Sequence, residues 1–157
     1  MFTSLMYFSK VSPGCTAGDI ACIFKDAHEN NKRIGMTGIL YSDGKWFIQV
    51  LEGARHEVSE LFHHIQNDKR HFSVVLVSVR EIDERQFSDW AMGIIRNDLA
   101  VSEIIKETLG VDELIPPYLS FEQLNQLLMR LADTRLREII PLFRVTSEKT
   151  KTQDCFE

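Results

Sequence analysis

Asp43-Gly44 stands between two apolar runs, residues 36–42 and 45–51. Asp-Gly at such a junction signals a two-residue type I′ hairpin, because both residues tolerate the left-handed backbone that this turn needs. The two runs are therefore expected as antiparallel neighbours, and any fold must be assembled around that pair. Upstream, residues 2–8 (Phe-Thr-Ser-Leu-Met-Tyr-Phe) read as a strand, broken by Ser12-Pro13-Gly14. Thr16 with Asp19 makes a capping box, and Ile20, Ile23, Phe24 and Ala27 follow at helical spacing. That helix is expected to run out near Asn30-Asn31, whose side chains compete for backbone hydrogen bonds. Downstream, a second helix begins around Ala54, with Val58, Leu61, Phe62 and Ile65 in one stripe. Asp68-Lys69-Arg70-His71 is a polar connection, Phe72 to Val79 a β-branched strand, and Phe87 to Ile95 a further strand. The order β-α-β-β-α-β plus one strand predicts an α+β ferredoxin-like sandwich: a five-stranded mixed sheet with two helices on one face.

Trp46, Ile48 and Val50 make the opposite sheet face apolar as well, so it needs a cover. Residues 96–144 are expected to supply it. Val101, Ile104 and Ile105 suggest a helix ending near Gly110, and Pro116-Pro117 is a break. Ser120 with Gln123 is a second capping box, ahead of a stripe of Leu124, Leu127, Leu128 and Leu131. Leu136, Ile139, Ile140 and Phe143 form another stripe, interrupted by Pro141. The organisation is thus a domain over 1–95, a helical extension over 96–144 serving output or oligomerisation, and a polar tail over 145–157.

Charge narrows the function. With 23 acidic against 18 basic residues, a formal net charge of −5 and no basic run, direct nucleic-acid binding through bulk electrostatics is disfavoured. Three cysteines with no C-x-x-C argue against a disulfide framework or a thiolate zinc site and fit a reducing cytoplasm. The N-terminal residues lack a signal-peptide pattern, and no window is apolar enough to span a membrane. His56-Glu57 opens like a zinc-peptidase helix, but the second histidine is missing. His63-His64 read as surface residues, Cys22 as a core or surface thiol, and no metal site is expected.

Gln49 is an amide in the middle of the strand Trp46-Phe47-Ile48-Gln49-Val50-Leu51. A buried amide without partners costs about 1–3 kcal/mol, so something polar is expected to meet it. Tyr7 ends the first strand, which in this fold is central and beside the third, and its hydroxyl is within reach of Gln49. Alone, Tyr7 is a core aromatic with a polar tip, Asn31 a helix C-terminal residue, and Trp90 and Met92 core residues of an edge strand.

Together these residues carry a family pattern. Leu-Met-Tyr-Phe-Ser at 5–9, Asn30-Asn31, Met36-Thr37-Gly38-Ile39-Leu40-Tyr41, Phe47-Ile48-Gln49-Val50-Leu51-Glu52-Gly53, Ile65-Gln66-Asn67-Asp68-Lys69-Arg70-His71 and Trp90-Ala91-Met92 occur in order and at spacing. Over residues 2–95 the chain resembles BLUF domains, flavin-binding sensors of blue light, with a C-terminal extension like that of stand-alone members. The resemblance implies FAD held between the two helices on the Gln49 face. It makes Tyr7 the electron and proton donor, with Gln49 bridging it to flavin N5 and O4. Asn31 would bond the polar ring edge, and Ile23 and Ile65 would sandwich the ring above Phe47. Leu40, Asn30, Lys32, Arg33, Arg70 and His71 complete the cofactor-binding candidates. Trp90 and Met92, expected on one strand face, would relay the signal to a downstream regulatory protein, and a homo-oligomer is expected through the leucine stripes. The rivals are a flavin reductase, an acylphosphatase-like hydrolase and a non-photoactive interaction module. The first lacks a dinucleotide fingerprint, and the loop Val11-Ser12-Pro13-Gly14-Cys15 lacks the arginine that the second needs.

Overall fold

The computed structural model describes residues 1–136. Its elements are β1 (Phe2–Val11), α1 (Ala17–Ile34), β2 (Thr37–Ser42), β3 (Trp46–Gly53), α2 (Arg55–Asn67), β4 (His71–Ile82), β5 (Gly93–Arg96), α3 (Leu99–Leu109) and α4 (Phe121–Leu131). A short 3₁₀ turn over Pro116–Tyr118 precedes α4, and a π-type turn over Ala132–Leu136 follows it. The strands form one sheet in the order β4-β1-β3-β2-β5, with β5 parallel to β2 and the other neighbours antiparallel. This is the expected five-stranded mixed sheet.

Strand alternation sorts the side chains into two cores. On one face Leu5, Tyr7, Leu40, Phe47 and Leu51 pack beneath Ile23 and Phe24 of α1 and Val58 of α2. On the other, Met6, Phe8, Ile39, Tyr41, Ile48, Val50 and Ile95 pack against Val101, Ile104 and Ile105 of α3 and the leucines of α4. The C-terminal helices therefore cover the second face, as its apolar pattern requires. Both predicted capping boxes are reciprocal: Thr16 with Asp19, and Ser120 with Gln123.

Four details depart from the sequence reading. Helix α1 continues past Asn30-Asn31 to Ile34, because Asn31 faces the interior and Gly35, at φ 70°, supplies the left-handed C-cap. The β2–β3 connection is longer than a two-residue turn: Ser42 and Phe47 are the last pair, and Asp43 Oδ1 accepts from the backbone N–H of Lys45 (2.9 Å) and Trp46 (2.8 Å). The last strand is short, and residues 83–92 form turns, because the N–H groups of Gln86 and Phe87 bond the Glu52 side chain rather than a strand. Finally, Leu124, Leu127, Leu128 and Leu131 are all 0% exposed, so this stripe belongs to the core and is no oligomer surface. Burying each side chain in this way contributes about 1.5–3 kcal/mol.

The second stripe from Ile139 and the polar tail lie outside the described residues. Cys15 is a free thiol, while Cys22, expected as a thiol, is disulfide-bonded. Among the described residues no helix is long and apolar enough to cross a membrane. Exposed apolar side chains gather on the outer strand β4, at Phe72, Val75, Leu76 and Val79.

Gly38 marks where β2 and β3 press closest: a Cβ there would lie 2.0 Å from the Val50 carbonyl oxygen. Gly38→Ala is expected to destabilise the fold by about 3 kcal/mol, the upper range for overpacking, because a backbone atom has no rotamer by which to yield. Urea unfolding of the variant against the native protein checks this.

Candidate functional site

The β1–β3 register sets Tyr7 directly opposite Gln49, and the β2–β3 register sets Leu40 on its other side. All three side chains are buried beneath α1 and α2. The Tyr7 hydroxyl donates to Gln49 Oε1. The other end of the amide has only a soft partner, Nε2 lying 3.5 Å from Met92 Sδ, and a thioether is a weak acceptor. Burial first, and the charge of Asp68 second, push the Tyr7 phenol well above its usual range, so the hydroxyl keeps its proton and remains the donor.

The amide faces a cavity of about 140 Å³ between the two helices. Ile23, Ala27 and Asn31 line it at spacings of four along α1, and Leu61 and Ile65 line it from α2. Asn31 is fully buried, yet neither Oδ1 nor Nδ2 has a hydrogen-bond partner. An unpaired buried amide costs about 1–3 kcal/mol, so a ligand with a polar edge fits this wall. The pyrimidine end of a flavin carries alternating carbonyl acceptors and an N–H donor, which is the complement of a carboxamide. Phe47 is fully buried beside this wall, its ring centroid 4.6 Å from that of His71.

The mouth of the cavity is held by charge. Arg70 bonds Asp68 through Nε (3.0 and 3.1 Å) and Nη2 (2.7 Å), and reaches Asp26 on α1 at 3.3 Å. Burial tends to raise the Asp68 carboxyl, but the hydrogen bonds and charge of Arg70 outweigh it and hold the group below its usual range. His71 Nδ1 lies 2.8 Å from Ser9 Oγ. Burial pushes the imidazole down to about 4 against the opposing pull of Asp68, so the ring is neutral at pH 7.

The structure brings Tyr7, Ile23, Asn30, Asn31, Leu40, Gln49, Ile65, Arg70 and His71 to this one place, with Phe47 packed beside them. Lys32 and Arg33 do not join it. Both are exposed in the last turn of α1, where basic side chains complement the helix C-terminus. Trp90 and Met92 also part company: Met92 packs in the core beneath α1 and α2, and half-buried Trp90 packs against the opposite core. Residues two apart share a face only in a strand, and this stretch is not one. The sequence reading missed Asp26, Asp68 and Ser9. Period two from Tyr7 points to Ser9, and three and four residues along the α1 stripe from Ile23 point to Asp26 and Ala27.

A βαββαβ sheet with a tyrosine–glutamine pair facing an inter-helical cavity, and an unsatisfied asparagine on its wall, makes a binding site for a ligand with a polar edge. The chain belongs to the BLUF family, described as sensors of blue light using FAD, whose model matches residues 2–93. It is 36% identical over 84 residues to photoactivated adenylate cyclase subunit alpha of Euglena gracilis, a match covering 54% of this chain and 8% of that protein. It is 29% identical over 103 residues to the blue light- and temperature-regulated antirepressor BluF of Escherichia coli K12, covering 66% of this chain and 25% of that protein. The chain thus spans a minor part of the curated relatives that it matches, 11% of Euglena longa photoactivated adenylate cyclase subunit beta. It is also similar to the photo-activated state of BlsA (27% identity, TM-score 0.74, 97% of this chain and 100% of that one). The dark state of the BLUF protein BlrB matches too (29% identity, TM-score 0.67, 82% and 96%).

Asn31 makes a trade-off testable. Asn31→Leu is expected to stabilise the apoprotein by about 1 kcal/mol, by removing an unpaired buried amide, while weakening FAD binding about tenfold or more. Urea unfolding and flavin titration read the two sides. The imidazole of His71 makes a second prediction. Its folded pKa lies below its unfolded value, so its contribution to stability is complete above about pH 6.5 and is lost as the pH falls towards about 4. Apoprotein stability should decline through that window, and His71→Asn should flatten the decline when unfolding is followed against pH.

Proposed function

We propose that this chain is a blue-light photoreceptor that binds FAD in the α1–α2 cavity and signals by rearranging hydrogen bonds around Gln49. The observation that carries this reading is the Tyr7–Gln49 hydrogen bond, with the rest of the amide turned to the cavity and met only by a methionine sulfur. FAD supplies a ring that absorbs blue light and, once excited, takes up an electron and a proton. Tyr7 gives both. Its neutral phenol is a poor acid, but loss of an electron makes it a strong one, and Gln49 Oε1 is the acceptor already in place. Gln49 offers a donor at one end and an acceptor at the other, so rotation or tautomerisation changes which end faces Tyr7 and which faces the ring. Asn31 would hold the polar edge of the ring, and Ile23 and Ile65, which line the cavity from α1 and α2, would hold the ring between them. Arg70, clamped between Asp68 and Asp26, ties the mouth of the site to α1.

When the electron and proton return to Tyr7, Gln49 is left in its second arrangement. Nothing is consumed, which makes the cycle a switch rather than turnover. One redirected hydrogen bond is worth about 0.5–1.5 kcal/mol net, enough for a several-fold change in population, whereas a nearly complete switch needs about 5.5 kcal/mol. The responding element must therefore be finely balanced, and Met92, in contact with Gln49, is where it begins. Output passes by contact with a regulatory protein, a reading supported by the relative named as an antirepressor. With the first leucine stripe buried, the exposed apolar side chains that cluster among the described residues, and so suit such contact or a homo-oligomer, are those of β4: Phe72, Val75, Leu76 and Val79.

The purified protein is expected to be yellow and to show a reversible red shift under blue light. Tyr7→Phe should abolish the shift, and Gln49→Leu should remove it with FAD still bound. Capture of partners in darkness and under blue light, with Gln49→Leu as the light-insensitive control, tests the output. A flavin-loaded native protein whose spectrum does not move on irradiation would sink the proposal, and bleaching by a nicotinamide donor would point to the reductase instead.

A further inference from the structure

Glu52 is the only fully buried carboxylate among the described residues. It lies on β3, between Ser4 of β1 and Thr37 of β2 in register. Its two oxygens each take one backbone N–H: Oε1 accepts from Gln86 at 3.0 Å and Oε2 from Phe87 at 2.9 Å. Burial raises this carboxyl above its usual range, and the two backbone bonds, the charge of Arg85 and the Thr37 hydroxyl only partly offset the rise. A central strand with an apolar face has no need of such a group, so its cost has to be matched by what it holds.

It holds the crossover between β4 and β5. Residues 83–92 belong to no strand, and few other bonds fix them. Trp90 N donates to Phe87 O at 3.3 Å, and Gly38 N donates to Trp90 O at 3.2 Å. Arg85 Nη1 donates to Gly35 O at 2.8 Å and to Thr37 Oγ1 at 3.2 Å. The segment ends at Met92, whose sulfur meets Gln49 three residues before Glu52 on the same strand. One strand thus carries both the amide that changes and the anchor of the segment touching it. We propose that Glu52 is a positioning residue that clamps the 83–92 crossover and thereby sets how long the light-altered arrangement of Gln49 and Met92 persists. The inference rests on the photoreceptor reading above. For Met92 to leave and re-seat, the crossover has to shift, and the two bonds to the buried Glu52 carboxylate resist it together with those of Arg85.

Glu52→Gln keeps the size of the side chain and one acceptor oxygen but turns an NH₂ group towards the second N–H. The expected result is unchanged FAD content and red shift, because Tyr7 and Gln49 are untouched. Amide hydrogen exchange over residues 86–92 should accelerate about tenfold or more relative to the sheet, and dark recovery should quicken about fivefold or more. Exchange and recovery both within about twofold of native would overturn the clamp. If the variant does not fold, the native protein decides: Gln86 and Phe87 amides should exchange as slowly as those of β3, and exchange at the rate of an exposed loop would overturn the proposal. A native protein lacking any red shift would refute the photoreceptor reading instead, while the exchange comparison would still judge whether Glu52 holds the crossover.

Discussion

The pairing of Tyr7 with Gln49 across β1 and β3 is the constraint on which the rest of the molecule turns. A slip of one residue would send one of the two side chains to the opposite face of the sheet, and the hydrogen bond would be impossible. The register is secured from both sides. Leu5 and Leu51 are paired on the same face, Phe8 and Ile48 on the other, and all are buried. Two cores, one above the sheet and one below, thus fix the position of one polar contact. That accounts for the burial of α3 and α4 against the second face: with that face exposed to solvent, half of the register specification would be lost.

The site itself is under-satisfied by the protein alone. Asn31 has no partner, and Gln49 Nε2 has only a sulfur. A protein optimised for stability would replace or pair these groups. Their arrangement on one cavity wall leaves those bonds open to a ligand. Arg70 works in the opposite sense. Its charge is answered by Asp68 and Asp26, and it serves to join the α2–β4 connection to α1 around the cavity mouth.

Much of this was legible in the sequence. The order of elements, both capping boxes and the two apolar sheet faces follow from periodicity and local side-chain chemistry, which act over a few residues. What escaped depends on partners far along the chain. The end of α1 is decided by the burial of Asn31 and the C-cap at Gly35, and the shape of the β2–β3 connection by the Asp43 side chain. Phe87 to Ile95 reads as a strand from its run of large apolar residues, yet Glu52, more than thirty residues earlier, takes the backbone donors of Gln86 and Phe87 that a strand would need. For the same reason Trp90 and Met92 appear to share a face in the sequence and do not in the structure. Lys32 and Arg33 are cofactor-binding candidates by the family resemblance, whereas the helix end and solvent explain them. The orphaned polar atoms of Asn31 are visible only in three dimensions.

The balance between rigidity and looseness follows from magnitudes. A change at one amide is small beside the burial energy of either core, so it cannot repack Leu124 or Ile48 directly. It can act only on an element held by a few bonds of comparable strength. The crossover over residues 83–92 meets that condition: it lies outside the strand ladder, it touches Gln49 through Met92, and it continues into β5, whose Ile95 packs in the core shared with α3 and α4. Trp90 sits on that opposite core with its indole N–H unpaired, a second sign that the segment is not at a deep minimum. On the photoreceptor reading, a signal starting on the flavin side of the sheet would reach the other side around its edge, through backbone tethered at Glu52.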